Sequence, residues 1–161
     1  VSVVAVPALA QDCPEVVHHW PGSFGAVAVE GDYAYVGGSS GVFAVADVSD
    51  PSAPQVIGEA ALAPGLTEVA VSGEFAYVGW DELSPEGEAG LWVIDVSTPS
   101  APVVVGSLEA QGRLTDVAAS GDYVYTVEYS CSSSTTCTNR LRVIDVSSHV
   151  SSQTSGRSDW R

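Results

Sequence analysis

One apolar stretch occurs three times along this sequence, and its fullest copy reads Gly90-Leu91-Trp92-Val93-Ile94-Asp95-Val96-Ser97-Thr98-Pro99-Ser100-Ala101-Pro102. The other copies occupy residues 41–54 and 141–148. Each is a run of apolar, largely β-branched residues that ends in Asp-Val-Ser, and Pro-Ser-Ala-Pro follows in the first two copies. Such runs favour strands, and proline ends a strand because it cannot donate to the ladder. The stretch therefore predicts a buried strand with a sharp exit turn.

A second motif, of the form Gly-Asp-Tyr-Ala-Tyr-Val, recurs in step with the first. Its copies are residues 31–36, 73–78 and 121–126, at spacings of 42 and 48 residues. A short apolar run precedes each copy, and a further run follows the exit turn as residues 55–58 and 103–106. The repeat therefore holds four predicted strands, and Gly-Asp or Gly-Glu pairs provide the tight turn between the first two.

The predicted strands are apolar on both faces, as in residues 33–36, whereas a sheet with one solvated face would alternate. Both faces must therefore be covered. A four-stranded sheet that repeats at this period is typical of a β-propeller, whereas a β-sandwich needs no repeated unit and a β-helix repeats at a shorter period. We predict an all-β fold of propeller-type four-stranded blades. The predicted blades are residues 23–58, 67–108 and 115–148, with residues 14–20 as the fourth strand of a closing blade. These repeats would form an incomplete ring, because propellers have about four to eight blades.

The two motifs together resemble the repeat of the LVIVD-repeat proteins, an exported family, over roughly residues 14–148. The resemblance implies a propeller fold and export. It implies no reaction, because members of this family mostly lack an assigned activity. The chain departs from the pattern at Ala46, where a large aliphatic residue is expected, and in the third repeat, which lacks the Pro-Ser-Ala-Pro exit.

The two ends of the chain lack the repeat. Residues 1–10 resemble the end of a signal peptide with small residues at its cleavage site, so the mature chain is predicted to begin at Gln11. The alternative is that residues 1–6 form a terminal strand. Residues 149–161 have no repeat character, and they are predicted to be either a disordered tail or the product of a truncated or shifted reading frame. The absence of Met predicts a processed chain or a fragment.

Composition restricts the location and the partners. The signal-peptide-like residues 1–10 predict a secreted, periplasmic or cell-surface protein. No apolar run reaches the about 20 residues of a membrane-spanning helix, so no membrane span is expected. There are 20 acidic side chains against five Arg, and there is no Lys. Nucleic acid is excluded as an expected partner, because phosphate contacts depend on clustered Lys and Arg.

The sequence contains three cysteines, in a context where export permits disulfides. Cys131 and Cys137 flank a short polar loop between two strand-like runs, which predicts a disulfide at a hairpin tip. A zinc site would need further ligands that the neighbouring sequence lacks. Cys13 is left over, either free or paired with a group outside the sequence.

Three aspartates, Asp47, Asp95 and Asp145, occupy equivalent places at the ends of the repeated strands. A catalytic group is usually unique within a repeat protein. Repetition therefore favours a structural role, in which each carboxylate accepts hydrogen bonds from backbone amides of the Asp-Val-Ser turn.

An acidic connector is the weak candidate for a metal site. Asp81, Glu82, Glu86 and Glu88 supply the oxygen ligands that Ca²⁺ prefers, but their spacing fits no EF-hand, and a solvated acidic loop is the simpler interpretation. His18 and His19 are adjacent, so on a strand they would point to opposite faces and would not share a metal. Apart from Ca²⁺, no cofactor is predicted.

No catalytic residues are assigned, because the sequence lacks a nucleophile elbow, a phosphate-binding loop and a dinucleotide fingerprint. The first hypothesis is an exported binding or scaffold module that recognises a protein or cell-surface ligand through its long connectors, residues 79–90 and 127–140. The alternative is part of a propeller hydrolase or lyase whose active site lies largely in other blades. The open ends of the blade stack also predict self-association.

Overall fold

The computed structural model describes residues 16–17, 19, 21–81, 88–131 and 136–148. These residues form eleven strands: β1 Phe24–Glu30, β2 Tyr33–Gly38, β3 Val42–Asp47, β4 Gln55–Ala61, β5 Leu66–Ser72, β6 Phe75–Asp81, β7 Ala89–Asp95, β8 Val103–Glu109, β9 Arg113–Ser120, β10 Tyr123–Cys131 and β11 Cys137–Asp145. No helix among the described residues is long and apolar enough to cross a membrane.

The strands form three antiparallel sheets in which neighbours in sequence are neighbours in space. Blade 1 has the order β1-β2-β3-β4, blade 2 the order β5-β6-β7-β8, and blade 3 the order β9-β10-β11. The predicted all-β architecture of propeller-type blades is confirmed. The third blade has three strands among the described residues.

The turn between the first and second strand of every blade depends on glycine. Gly31, Gly73 and Gly121 have φ angles of 58°, 60° and 56°, in the left-handed region that L side chains rarely adopt. In each blade, the backbone carbonyl of the residue after this glycine accepts a hydrogen bond from the backbone N–H of the valine in the Asp-Val-Ser turn. In blade 1, Val48 donates this hydrogen bond to Asp32 over 2.8 Å. The repeated Gly-Asp and Gly-Glu pairs thus tie both turns of a blade together.

Two apolar layers hold the blades together, with blade 2 between the other two. The first layer, between blades 1 and 2, contains Tyr35, Phe43, Val45, Leu66, Val69, Ala76, Val78, Ile94 and Val96. The second, between blades 2 and 3, contains Ala70, Phe75, Tyr77, Leu91, Val93, Leu114, Val117, Val124 and Val146. Both faces of blade 2 are therefore covered, which accounts for the apolar residues on both faces of its strands.

Glycine also permits close approach between blades. A Cβ on Gly79 of blade 2 would overlap the side chain of Leu114 on the first strand of blade 3. A Cβ on Gly58 of β4 would overlap the carbonyl oxygen of Pro99, in the exit turn of blade 2. The Pro-Ser-Ala-Pro exit turn of blade 2 therefore packs against β4, the fourth strand of blade 1.

The long connectors differ from the prediction. Much of the predicted connector 127–140 is strand, because β10 runs to Cys131 and β11 begins at Cys137. Similarly, β6 extends to Asp81 and β7 begins at Ala89. Cross-strand pairing continues along polar residues that the apolar pattern did not include. Of the predicted closing strand 14–20, the described residues 16, 17 and 19 lie outside any strand, and the predicted signal peptide and tail lie outside the described residues.

Candidate functional site

The second and third strands of each blade form a hairpin, and the three hairpins point to the same end of the sheets but differ in length. Their ladders start at equivalent pairs, such as Tyr33 with Asp47 and Tyr123 with Asp145. In blade 1 the ladder ends with Gly37 opposite Phe43, whose equivalents in blade 3 are Val127 and Leu141. The blade 3 ladder continues for four more residues on each strand, to Cys131 opposite Cys137.

We call residues 128–131 and 137–140 the hairpin tip. A strand rises about 3.4 Å per residue, so the paired strands of the tip end about 14 Å beyond the last pair of the blade 1 ladder and about 7 Å beyond the last pair of the blade 2 ladder, Asp81 opposite Ala89. The tip is therefore the part of the described chain that extends furthest at this end.

A disulfide closes the hairpin tip. It joins Cys131 to Cys137, whose Cα atoms are 4.0 Å apart, and confirms the predicted pairing. The hydroxyl of Tyr129 donates a hydrogen bond to the sulfur of Cys131 over 3.0 Å. Both features restrict the conformations that the tip can adopt.

A buried ion pair fixes the base of the tip. Nη1 of Arg142 lies 2.7 Å from Oε1 of Glu128, and the Glu128 side chain is only 2% exposed. The other carboxylate oxygen of Glu128 accepts a hydrogen bond from the backbone N–H of Gln111 at 3.2 Å. Nη1 of Arg142 also donates to the carbonyl oxygen of Glu109 at 3.2 Å. The network therefore joins β10 and β11 to the linker that enters blade 3.

Two further arginines lie in the same region. Nη1 of Arg140 donates to Oε1 of Gln111 at 2.6 Å. Nε of Arg113, at the start of β9, lies 2.5 Å from the carboxylate of Asp81, and this hydrogen bond raises the pKa of the Arg113 guanidinium. The three arginines at this end are thus each matched by a carboxylate or an amide of the same chain.

Asp81, one of the four candidate calcium ligands, lies at the end of a strand. Asp81 was predicted to lie in a flexible acidic connector, but it ends β6, its side chain is buried, and Arg113 occupies its carboxylate. Glu88 is exposed just before β7, and Glu82 and Glu86 lie outside the described residues. Within the described part of the chain, no group of three or more His, Cys, Asp or Glu residues is arranged to hold a metal ion.

The repeated aspartates lie at the opposite end of the blades from the hairpin tip. Oδ1 of Asp47, Asp95 and Asp145 accepts a hydrogen bond at 2.9 Å from the backbone N–H of Ser49, Ser97 and Ser147, respectively. The Ser49 and Ser147 hydroxyls also donate to these carboxylates, and these hydrogen bonds lower the pKa of Asp47 and Asp145. The carboxylates therefore take part in the turns themselves.

Two acidic side chains occupy equivalent positions on the first strands of blades 2 and 3. Burial raises the pKa of Glu68, and the neighbouring charge of Asp116 raises it further.

His19 is exposed, while His18 and Cys13 lie outside the described residues.

Sequence reasoning missed Glu128 and Arg142. The available signal was their strand periodicity: both lie at positions that alternate with outward-facing residues, and opposite charges on neighbouring predicted strands indicate a pair. The assignment of residues 127–140 to a connector hid this signal.

Comparison with known proteins identifies the repeat. A search of curated proteins returns no significant match. A search of solved structures finds the computationally designed Ika4 protein, with 11% sequence identity and a TM-score of 0.43, covering 82% of this chain and 99% of the designed chain. The family model of the LVIVD repeat matches residues 21–61, 66–110 and 111–130, which together exceed half of the sequence. The predicted family is confirmed: this chain belongs to the LVIVD-repeat family.

Proposed function

We propose that this LVIVD-repeat chain is an exported, non-enzymatic module that binds a protein or cell-surface partner through the hairpin tip. The observation that carries the proposal is the hairpin of blade 3, whose ladder is longer than the ladders of the equivalent hairpins and is closed by the Cys131–Cys137 disulfide. Projecting loops on a rigid scaffold are common recognition elements.

Preorganisation supports this use of the tip. Binding costs less conformational entropy when the contact residues are already ordered. Here the disulfide closes the outer end, and the Glu128–Arg142 network fixes the inner end to the linker between blades 2 and 3. A tip held at both ends presents its outward face in one arrangement.

The outward face of the tip has the composition of a contact surface. Tyr129, 37% exposed, lies directly opposite Asn139 in the ladder, and the disulfide lies two residues beyond. Tyrosine provides a large, rigid contact area, and asparagine provides adaptable hydrogen bonds. Because Arg113, Arg140 and Arg142 are already matched within the chain, we propose that recognition depends on aromatic and amide contacts rather than on a basic patch.

Export is part of the proposal. A structural disulfide persists in oxidising compartments, whereas cytosolic thiols are kept reduced. The disulfide therefore supports a secreted, periplasmic or cell-surface location, in agreement with the family resemblance.

The test uses a displayed peptide library as the probe. Peptides are selected on the immobilised, oxidised chain, and the affinity of the enriched peptides is measured for single variants. We expect Tyr129→Ala to weaken binding about tenfold, as truncation of a tyrosine at a binding hot spot does. Tyr123→Ala is the matched control, because Tyr123 is exposed at the far end of the same strand and should leave affinity unchanged.

Reduction of the disulfide supplies a second arm. We expect the reduced chain to bind the same peptides more weakly while its far-ultraviolet circular dichroism stays unchanged. Peptides that bind equally well to the Tyr129→Ala variant and to the reduced chain would place recognition elsewhere and would refute the proposal.

A further inference from the structure

We infer that a second copy of this chain binds head to tail to the first. In this arrangement, residues 14–20 of the second copy pair with β11 of the first as the missing fourth strand, and blade 1 of the second copy covers the outer face of blade 3. The inference concerns the sheet edge and face below the hairpin tip and does not depend on the proposed binding function.

The edge of β11 is the first observation. In blades 1 and 2, the third strand pairs on its far side with a fourth strand, as β3 does with β4 and β7 with β8. Among the described residues, β11 pairs only with β10. Its other edge therefore offers backbone hydrogen-bonding groups along nine residues.

The sequence contains a matching strand. Pro14-Glu15-Val16-Val17-His18-His19-Trp20 is similar to Pro54-Gln55-Val56-Ile57-Gly58-Glu59-Ala60 and to Pro102-Val103-Val104-Val105-Gly106-Ser107-Leu108, which include most of β4 and β8. Residues 62–65 join β4 to β5, residues 110–112 join β8 to β9, and residues 21–23 would join this segment to β1. The chain thus leads from the fourth strand of one blade into the first strand of the next.

This connection rule places blade 1 of the second copy. If its residues 14–20 complete blade 3 of the first copy, its β1 must begin the blade that follows blade 3. Completion of the strand and docking of the face are therefore one event. Within one chain, Val17 lies away from β11: it lines a groove of about 490 Å³ on the outer face of blade 1, next to Val27 and Val29.

The outer face of blade 1 repeats a face that is covered inside the chain. Val27 and Val29 correspond to Val69 and Val71 of blade 2, which pack under blade 1. Val69 is 9% exposed, whereas Val27 is 64% exposed. The outer face of blade 1 is therefore the same type of surface as the blade 2 face that packs against Tyr35, Phe43 and Val45 of blade 1.

The outer face of blade 3 is the complementary surface. Leu141 and Val143 correspond to Leu91 and Val93 of blade 2, which pack against blade 3. Leu91 is 2% exposed, whereas Leu141 is 65% exposed. Both internal junctions join a face of this second type to a face of the first type, so a junction between copies would continue an interface that the chain already forms twice.

Two copies provide two such junctions and six blades, within the range of about four to eight that propeller rings contain. One position makes this junction weaker than an internal one. At the junction of blades 2 and 3, Gly79 leaves room for the side chain of Leu114. Val127 is the equivalent of Gly79 in blade 3, and Phe24 is the equivalent of Leu114 in blade 1, so a larger pair of side chains would meet at this position between copies. We therefore expect a dimer that dissociates on dilution. The hairpin tip stays outside the junction, because the blade 1 ladder ends level with Val127 and Leu141.

The test is the mass of the full chain by light scattering and sedimentation over a wide range of concentration. We expect reversible formation of a species of twice 16.5 kDa. Leu141→Lys and Val27→Lys should each give a monomer, because each removes one side of both junctions. Val103→Lys is the matched control: Val103 is 56% exposed on β8, outside both faces, and the variant should still dimerise.

Mixing the two monomeric variants separates this geometry from others. The Leu141→Lys chain keeps a normal blade 1 face, the Val27→Lys chain keeps a normal blade 3 face, and the mixture should recover one junction and a dimeric mass. In the wild type, amides of β11 should gain protection from hydrogen exchange with concentration, and Val17→Pro should abolish this gain. A wild type that is monomeric throughout, variants that still dimerise, or a mixture that stays monomeric would each overturn the inference.

Discussion

Arg142→Met tests the network at the base of the hairpin tip. The substitution keeps an apolar side chain of similar length but removes the donor that lies 2.7 Å from Glu128 and 3.2 Å from the carbonyl oxygen of Glu109. Glu128, 2% exposed, then keeps the hydrogen bond from the backbone N–H of Gln111. The variant therefore leaves a buried carboxylate without its counter-charge.

The expected cost follows from burial. Removing one partner of a fully buried ion pair costs about 3–5 kcal/mol, whereas an exposed pair contributes about 0–1 kcal/mol. Arg142 is 25% exposed, so solvent screens part of the interaction, and we expect a loss of about 2 kcal/mol in the free energy of unfolding. Glu128→Gln in the same chain removes the unpaired charge and should recover at least half of that loss.

The assay is urea unfolding, followed by circular dichroism at one low protein concentration. Arg140→Met is the matched control, because Arg140 lies two residues away on the same strand, is exposed, and donates a hydrogen bond to the side-chain oxygen of Gln111 rather than to a carboxylate. We expect this control to cost less than about 0.5 kcal/mol, as exposed substitutions usually do. Equal losses for the two variants, or no recovery in the double variant, would refute the reasoning.

Three further predictions concern the blades. Gly58→Ala should destabilise the chain by about 1–3 kcal/mol, because its Cβ would overlap Pro99 of the next blade, whereas Ser107→Ala on exposed β8 should be neutral in urea unfolding. Replacing Cys131 and Cys137 with Ser should cost about 2 kcal/mol, the loop entropy of a short closed loop, in the same assay. Burial raises the pKa of Glu68, so its ionisation opposes folding as pH rises through the folded pKa; Glu68→Gln should raise the melting temperature near about pH 7 and leave it unchanged near about pH 3. An equal shift at both pH values would contradict that explanation for Glu68.

The repeats made the sheets predictable. Asp47, Asp95 and Asp145 each end the third strand of a blade, and the glycine of the first turn precedes the start of the second strand. Because these two strand ends lie opposite each other, the order and pairing of the strands follow from the local sequence pattern. The family resemblance rests on the same residues. Local pattern succeeds here because the interactions that define each blade join neighbouring strands.

The hairpin tip was less predictable, because its determinants join distant residues. Asp81 pairs with Arg113 of the next blade, 32 residues along the chain, and no local pattern in an acidic stretch indicates such a partner. Glu128 looked like part of a polar connector until Arg142 and Gln111 accounted for its burial. The extended part of the blade 3 hairpin contains these polar contacts and the disulfide, and its sequence lacks apolar alternation.

The central claim is that consecutive LVIVD blades stack face to face in chain order, and nuclear Overhauser effects in the Leu141→Lys chain test it most directly. The structure predicts cross-peaks between the Leu114 methyl groups and the Gly79 α-protons, and between a Val69 methyl group and the Gly37 α-protons, since these groups meet at the two junctions. Spectra that show the pairing within each sheet but lack both contacts between blades would contradict the account.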